Sequence, residues 1–132
     1  MAMSEKIMDD LLSLAGEQFC YLTTIGRVTG KRHVIEIWFA LDGRTLYMLA
    51  GGRYRADWVK NLQRDPRVMV RIADRVYVGH GRVIDEASDE AIRARTLVGP
   101  KYGEWQPGQP KRGWTWEALP VAVDLIEATT MP

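Results

Sequence analysis

Residues 19–51 read FCYLTTIGRVTGKRHVIEIWFALDGRTLYMLAG, and this stretch decides the fold. Every second residue of its central segment would face the same side of a sheet, namely His33, Ile35, Ile37, Phe39 and Leu41. Asp42 and Gly43 form a dipeptide typical of a tight hairpin, and they lead into an apolar segment over residues 45–50. The stretch therefore predicts three consecutive strands.

The rest of the chain predicts three more strands, at residues 67–73, 75–84 and 121–126. It also predicts helices ending near residue 16, over residues 56–64 and from residue 85 or 88 to about 98. Six short strands joined mostly by tight turns favour an antiparallel sheet that closes on itself, with a few short helices. The predicted fold class is an α+β barrel, six-stranded and mostly antiparallel.

Length and composition place the chain among ordinary globular proteins. Its 132 residues predict a single domain over residues 1–132, and 46% hydrophobic with 27% charged residues argues against disorder. We find no apolar run of roughly 20 residues, so no integral membrane segment is expected. The single Cys20 cannot staple a secreted domain, and a cytoplasmic location is expected.

Positive charge is concentrated in the middle of the chain. Residues 27–82 carry 12 Lys and Arg against five Asp and Glu, whereas the segments on either side are each acidic. Such a middle section suits an anionic small ligand. Nucleic acid is the alternative partner, but a pI near 7.9 is low for a dedicated nucleic-acid-binding protein, so none is expected.

The turn at residues 26–32, GRVTGKR, gathers three cations and two glycines. Backbone N–H groups, a Thr hydroxyl and cationic side chains in such a turn can bind an anion. The turn lacks the Ser or Thr that follows the lysine of a nucleotide-triphosphatase phosphate loop, and it precedes a strand rather than a helix. It predicts a site for the phosphate or carboxylate of a cofactor; the alternative is a solvated hairpin.

No self-sufficient catalytic or metal site is evident in the sequence. His33 and Glu36 would lie on opposite faces of a strand, so no metal site is predicted. Cys20 is expected to be a buried, inert thiol, and His80 to be structural. Gly79 and Gly81 flank His80 and predict a bulge, a bend or a close approach by a ligand. If the chain is an enzyme, a cofactor carries the chemistry.

These residues together resemble the deazaflavin-dependent nitroreductase and quinone reductase family of the FMN-binding split-barrel superfamily. The first matching features are the turn with Arg27, Thr29, Gly30 and Lys31, then Trp38-Phe39 and Asp42-Gly43. They continue through Gly51-Gly52, Trp58 with Asn61-Leu62, and Asp65-Pro66-Arg67-Val68, and end with Trp114 and Pro120-Val121. The resemblance spans about 100 residues.

The resemblance implies a six-stranded split β-barrel that binds the deazaflavin coenzyme F-420 and passes a hydride to a quinone, a nitroaromatic or a similar acceptor. No side chain would act as a covalent catalyst. The implied cofactor-binding residues are Arg27, Thr29, Gly30, Lys31, Arg32, His33, Leu49, Ala50, Gly51, Gly52, Arg53, Arg55, Trp58 and Asn61. The implied substrate-pocket residues are Trp38, Tyr102, Trp105 and Trp114.

Two other functions stay open at this point. The basic turn could equally hold the phosphate of FMN, which would make the chain an FMN-dependent oxidoreductase. Val28 and Ala50 stand where members of the family carry cations, so a non-catalytic cofactor-binding module is the third reading. The resemblance also allows a homodimer, because relatives of this barrel often pair through sheet faces.

Overall fold

The computed structural model describes residues 2–129. Its helices are α1 (Ala2–Leu14), α2 (Asp57–Arg64), α3 (Asp89–Lys101) and the single turn α4 (Trp114–Glu117), with a 3-10 turn at Arg53–Arg55. Its strands are β1 (Cys20–Ile25), β2 (Arg32–Ile37), β3 (Ala40–Asp42), β4 (Thr45–Ala50), β5 (Arg67–Ile72), β6 (Arg75–Val83) and β7 (Leu119–Thr129). The predicted α+β class is confirmed. Among these helices, none is long and apolar enough to cross a membrane.

The strands form one antiparallel sheet in the order β2-β1-β5-β6-β7-β4-β3. The prediction of six strands is wrong, because the sheet has seven. The second predicted strand is interrupted at Trp38 and Phe39, and its two halves become β2 and β3. These two strands lie at opposite ends of the sheet, although only two residues separate them along the chain.

That short connection forces the sheet to curl. Three Cα steps lead from Ile37 to Ala40, and consecutive Cα atoms lie about 3.8 Å apart, so the two strand ends are within about 11 Å of each other. A flat sheet of seven strands would place its edge strands about 29 Å apart, at about 4.8 Å for each of the six spacings. The sheet therefore curls into a half-barrel, which agrees with a split-barrel fold.

Side chains from α3 and the residue after it satisfy the backbone at this interruption. The Phe39 amide donates to the Tyr102 hydroxyl at 3.0 Å, and that hydroxyl lies 2.7 Å from the Gln18 carbonyl oxygen, to which it donates. Lys101 Nζ donates to the carbonyls of Phe39 and Glu17, both at 2.8 Å. The Phe39 ring is fully buried beneath the Lys101 ammonium, which is 3.8 Å from the ring centre.

Two apolar clusters pack on the two sides of the sheet, and β4 contributes to both. Leu46, Met48 and Ala50 face the larger cluster, inside the curl, whereas Tyr47 and Leu49 face a second cluster. The second cluster also contains Ala91, Ala94 and Val98 of α3. Burial on both faces explains why β4 reads as an almost continuous apolar run.

Helix α3 and strand β7 are both longer than predicted. The helix was predicted to end at about residue 98, but it continues through Gly99 and Pro100 to Lys101. Gly99 packs against Thr115 there, since a Cβ at Gly99 would lie 2.6 Å from Thr115 Cγ2. β7 extends to Thr129, because it pairs with β4 along its first half and with β6 as far as its end.

The bulge predicted around His80 is confirmed. The register of β6 against β7 shifts between Val78 and Gly79. The close approach at the two glycines comes from the protein itself, because a Cβ at Gly79 would clash with Val123 and a Cβ at Gly81 with Leu62 of α2. Gly81 therefore allows α2 to pack directly on β6.

We expect Tyr102→Phe to destabilise the fold by about 1–3 kcal/mol, since it leaves the Phe39 amide without its acceptor at a buried position. Chemical denaturation of the variant and the wild type measures the difference. Tyr54→Phe is the matched control, because Tyr54 is 49% exposed. Equal unfolding free energies for the two variants would show that the hydroxyl does not hold the β2–β3 connection.

Candidate functional site

A cleft of about 390 Å³ lies between the β1–β2 turn and the start of α2. We call it the turn cleft. Asp57, Trp58 and Asn61 of α2 form one wall, and the turn and β2 form the other. Asp57 and Asn61 share a helix face, because they are four residues apart. Five of the residues implied to bind the cofactor line this cleft, from segments distant in sequence: Arg27, Thr29, His33, Trp58 and Asn61.

The turn has a defined backbone geometry. The Gly26 amide donates to the Lys31 carbonyl at 2.7 Å, and the Gly30 amide donates to the Gly26 carbonyl at 2.8 Å. Gly30 has φ of 72°, a conformation that favours glycine. A Cβ at Gly26 would lie 2.6 Å from His33 Nε2 and 3.0 Å from Thr29 Oγ1. Glycine at this position therefore lets the His33 ring and the Thr29 hydroxyl close over the start of the turn.

Asn61 fastens the turn to α2. Its side chain is 4% exposed, and its Oδ1 accepts from the Arg27 amide at 3.1 Å and from Arg27 Nη1 at 2.8 Å. Its Nδ2 donates to Thr24 Oγ1 of β1 at 3.3 Å. Arg27 also contacts Asp57, with Nη2 3.1 Å from Oδ1. One buried amide thus fixes the position of the turn, the strand before it and the helix opposite.

Positive charge dominates around this turn. The Arg27–Asp57 pair is weak because the Asp57 side chain is 83% exposed. The ion pairs among residues 2–129 leave Lys31 and Arg32 without a carboxylate partner. Both side chains are exposed, and Arg32 points to the sheet face opposite His33, where it lines two shallow clefts. The turn can therefore attract an anion from either side.

Residues 49–52, at the end of β4 and just after it, do not line the turn cleft. Leu49 and Ala50 are buried in β4, at 3% and 2% exposure, and belong to the two apolar clusters. Gly51 and Gly52 follow as an exposed turn. Because Leu49 and Ala50 are buried, a ligand could reach residues 49–52 only at the exposed Gly51 and Gly52.

Arg53 has a different set of contacts from the one the sequence suggested. Its guanidinium binds the Glu86 carboxylate and the Glu117 carbonyl, and its φ of 53° lies in the left-handed region. Glu86 also accepts from the buried Arg95 at 3.1 Å. These contacts tie the 3-10 turn to α3 and α4, whereas Arg55 is exposed. Neither arginine lines the turn cleft.

Three of the four residues implied for the substrate pocket come together as an aromatic cluster. Trp38 stacks on Tyr102 with ring centres 4.2 Å apart and planes 1° from parallel, and Trp114 meets Trp38 edge-on at 5.7 Å. Gly51 borders the cluster, because a Cβ there would lie 3.3 Å from Trp114 Nε1. Trp105 lies elsewhere: it is buried, its indole donates to the Pro110 carbonyl, and it packs on Trp116.

Cys20 is buried, as predicted. Burial raises the pKa of its thiol to about 12, so the reactive thiolate is scarce at neutral pH. The charge of Lys101 acts in the opposite direction on the Cys20 pKa but is outweighed by burial, and the pKa of Lys101 is itself lowered by burial. The thiol is therefore inert, and it is no candidate nucleophile.

Sequence reasoning missed three residues that line the turn cleft outside the predicted turn, namely Val34, Ile35 and Asp57. Asp57 could have been found, because it precedes Trp58 and lies one helical turn before Asn61. Val34 and Ile35 carry no such signal, since the sequence does not show that α2 would pack beside β2.

The curled antiparallel sheet places this chain in the split-barrel class. The sequence matches the family described as F420H(2)-dependent quinone reductase over residues 9–125, and the chain belongs to that family. The turn cleft and the aromatic cluster both lie within the matched residues.

Solved structures of low sequence identity share the fold. A conserved hypothetical protein from Mycobacterium tuberculosis is 19% identical, with a TM-score of 0.71 over 94% of this chain and 81% of that one. An FAD-binding protein from Mesorhizobium loti is 13% identical, with a TM-score of 0.70 over 91% and 89%. A protein called F420 reductase is 17% identical, with a TM-score of 0.58 over 89% and 94%. At these identities the likeness concerns the fold.

Asn61→Ala should destabilise the fold by about 1–3 kcal/mol, because it leaves the Arg27 amide and the Thr24 hydroxyl without partners. Asn61→Asp keeps an acceptor for Arg27 but adds a negative charge to the turn cleft. Because the Asp variant keeps the hydrogen bonds to the Arg27 amide and guanidinium, we expect it to be more stable than the Ala variant in chemical denaturation at pH 7. An Ala variant as stable as the wild type would remove Asn61 from its role as the fastening residue.

Proposed function

We propose that the chain is a deazaflavin-dependent oxidoreductase, which transfers a hydride from reduced coenzyme F-420 to a quinone, a nitroaromatic or a similar activated acceptor. Membership of the F420H(2)-dependent quinone reductase family supports this function. The observation that carries it is the turn cleft: a basic turn, fastened by Asn61, that faces Trp58 across a space of about 390 Å³.

The donors of the turn cleft fit the anionic end of such a coenzyme. Arg27 is held in place by Asn61 and Asp57, so little side-chain entropy is lost when it binds an anion. The Thr29 hydroxyl and the His33 ring face the same cleft, and Lys31 lies beside them in the turn. Arginine and a fixed turn suit a phosphate or carboxylate group.

The apolar walls of the cleft suit a flat ring. Trp58 is partly buried against the large apolar cluster, and Val34 and Ile35 line the opposite wall. Ring faces in such sites pack on aromatic and aliphatic side chains. When bound, the deazaflavin supplies the hydride. The chain supplies binding and orientation, because no side chain in the cleft is placed as a nucleophile.

The acceptor is proposed to pack on the aromatic cluster. Ile35 lines the turn cleft and Trp38 is three residues further along, so the two Cα atoms lie at most about 11 Å apart at about 3.8 Å per residue. Trp38 and Trp114 are only partly buried, so part of each ring is accessible to a planar molecule. The Tyr102 hydroxyl is occupied by Phe39 and Gln18, and burial raises its pKa to about 12. Tyr102 therefore serves to position Trp38.

The direct test mixes the purified protein with reduced coenzyme F-420 and menadione and follows the coenzyme absorbance. Coenzyme binding with oxidation at a rate above the protein-free control is the expected result. Absence of binding and of oxidation would overturn the proposal. Yellow protein that releases FMN on denaturation would assign it to FMN instead, and tight F-420 binding without turnover would indicate a non-catalytic binding module.

Lys31→Ala with Arg32→Ala should weaken binding of coenzyme F-420 by about fivefold to thirtyfold, as expected for two exposed charges at about 0.5–1 kcal/mol each. The unfolding free energy should be nearly unchanged, because both side chains are exposed. Fluorescence titration of the coenzyme measures the affinity.

Lys111→Ala with Arg112→Ala is the matched control. It removes the same charge from another exposed segment, which lies outside the turn cleft. If both double variants bind the coenzyme equally well, Lys31 and Arg32 have no part in the site.

A further inference from the structure

The β1–β2 turn has a second cavity on its other side. This rear cavity, of about 400 Å³, shares Gly26 and Arg27 with the turn cleft, and Gly30, Arg64, Asp65 and Arg67 complete its polar walls. Arg64 and Arg67 were not among the candidate residues from the sequence. The turn cleft and the rear cavity therefore meet at one arginine, whose guanidinium is held by Asn61 and Asp57.

The rear cavity is electropositive. Three of its lining side chains are arginines and one is a carboxylate, Asp65. Arg67 binds that carboxylate through Nε at 2.9 Å and Nη2 at 2.7 Å, which leaves Nη1 available. The ion pairs among residues 2–129 give Arg64 no carboxylate partner. Asp65 therefore orients Arg67 without neutralising the cavity.

The excess of arginines over carboxylates in this lining favours an anion over a cation. The hydrogen bonds from Arg67 lower the pKa of Asp65 to about 2, so this carboxylate is ionised at neutral pH and offsets part of the positive charge of Arg67. Gly26 and Gly30 have no side chains to obstruct the cavity. Guanidinium groups with free N–H donors bind phosphate and carboxylate oxygens in the plane of the fork.

We propose that the rear cavity is a second anion subsite, which binds a further phosphate or carboxylate group of the ligand whose first anionic group lies in the turn cleft. The inference rests on the proposed function in one respect: it takes the turn cleft as an anion site. The ligand class it names is a molecule with at least two anionic groups on one tail. Arg27, at the shared wall, would contact both groups.

The test uses tripolyphosphate and tricarballylate as probes, with inorganic phosphate as the single-group reference, in calorimetric titrations at low salt. Wild-type protein should bind tripolyphosphate, tricarballylate or both more tightly than inorganic phosphate, and the tighter probe shows whether phosphate or carboxylate is preferred. Arg64→Gln with Arg67→Gln should weaken the preferred probe by about tenfold, on the scale of one or two charge-assisted contacts.

Arg75→Gln with Arg112→Gln is the control, because it removes the same charge outside both cavities. Arg64→Glu alone is a second variant, which leaves the Asp65–Arg67 pair intact and should also weaken binding. The proposal is wrong if wild-type protein binds neither probe more tightly than inorganic phosphate. It is also wrong if the Arg64 variants lose no more affinity than the control.

The two proposals can fail separately. Loss of probe affinity in the Arg64 variants, in a protein that does not bind coenzyme F-420, would keep the second subsite and reject the deazaflavin function. Turnover of the coenzyme with probe affinities equal in all variants would keep the function and reject the subsite.

Discussion

The connection of two residues between β2 and β3 is the constraint on which the structure depends. It joins the two edges of a seven-stranded sheet, so the sheet has to curl until those edges are close. Phe39 fills the inside of the bend, and Lys101 and Tyr102 satisfy its backbone groups from outside. The end of α3 is thereby tied to the point where the barrel is split. Because Trp38 is the other residue of this connection, the aromatic cluster is a direct product of the closure.

Helix α2 connects the apolar core with the turn cleft, because adjacent residues of the helix contact each of them. Leu62 packs on Gly81 of β6, where no larger residue would fit, and this contact sets how close the helix lies to the sheet. Asn61 precedes Leu62 and reaches the turn and β1 from the same helix. Neighbouring side chains thus serve the core and the site, and a shift of the helix on β6 would alter the position of Arg27.

The sequence predicted most of the strands, but not the point where the second one breaks. The alternation of His33, Ile35, Ile37, Phe39 and Leu41 continues through the interruption, because Phe39 is buried at the bend just as it would be in a continuous strand. Local periodicity cannot report that a strand changes its partner. The hydrogen bonds that stabilise the break come from Lys101 and Tyr102, more than 60 residues away. The proline and glycine content after residue 98 also misjudged the end of α3, where Thr115 packs against Gly99.

Site residues that belong to a local sequence motif could be predicted. Residues whose position depends on contacts with distant parts of the chain could not. The basic turn and the pair Trp58 and Asn61 could be named from sequence, and the structure brings them to one cleft. Arg53 could not be placed, because Glu86 and the Glu117 carbonyl lie far away in sequence.

The excess positive charge of residues 27–82 is not spread evenly over the structure, because some of its cations are paired with carboxylates and others are not. Several of its arginines are paired with carboxylates, including Arg53, Arg67 and Arg82. Lys31, Arg32 and Arg64 have no such partner among residues 2–129, and they surround one turn. Exposed charges act over about 8 Å at physiological salt, so only cations clustered on this scale reinforce each other. The attraction for anions is therefore a property of the β1–β2 turn rather than of the whole basic segment.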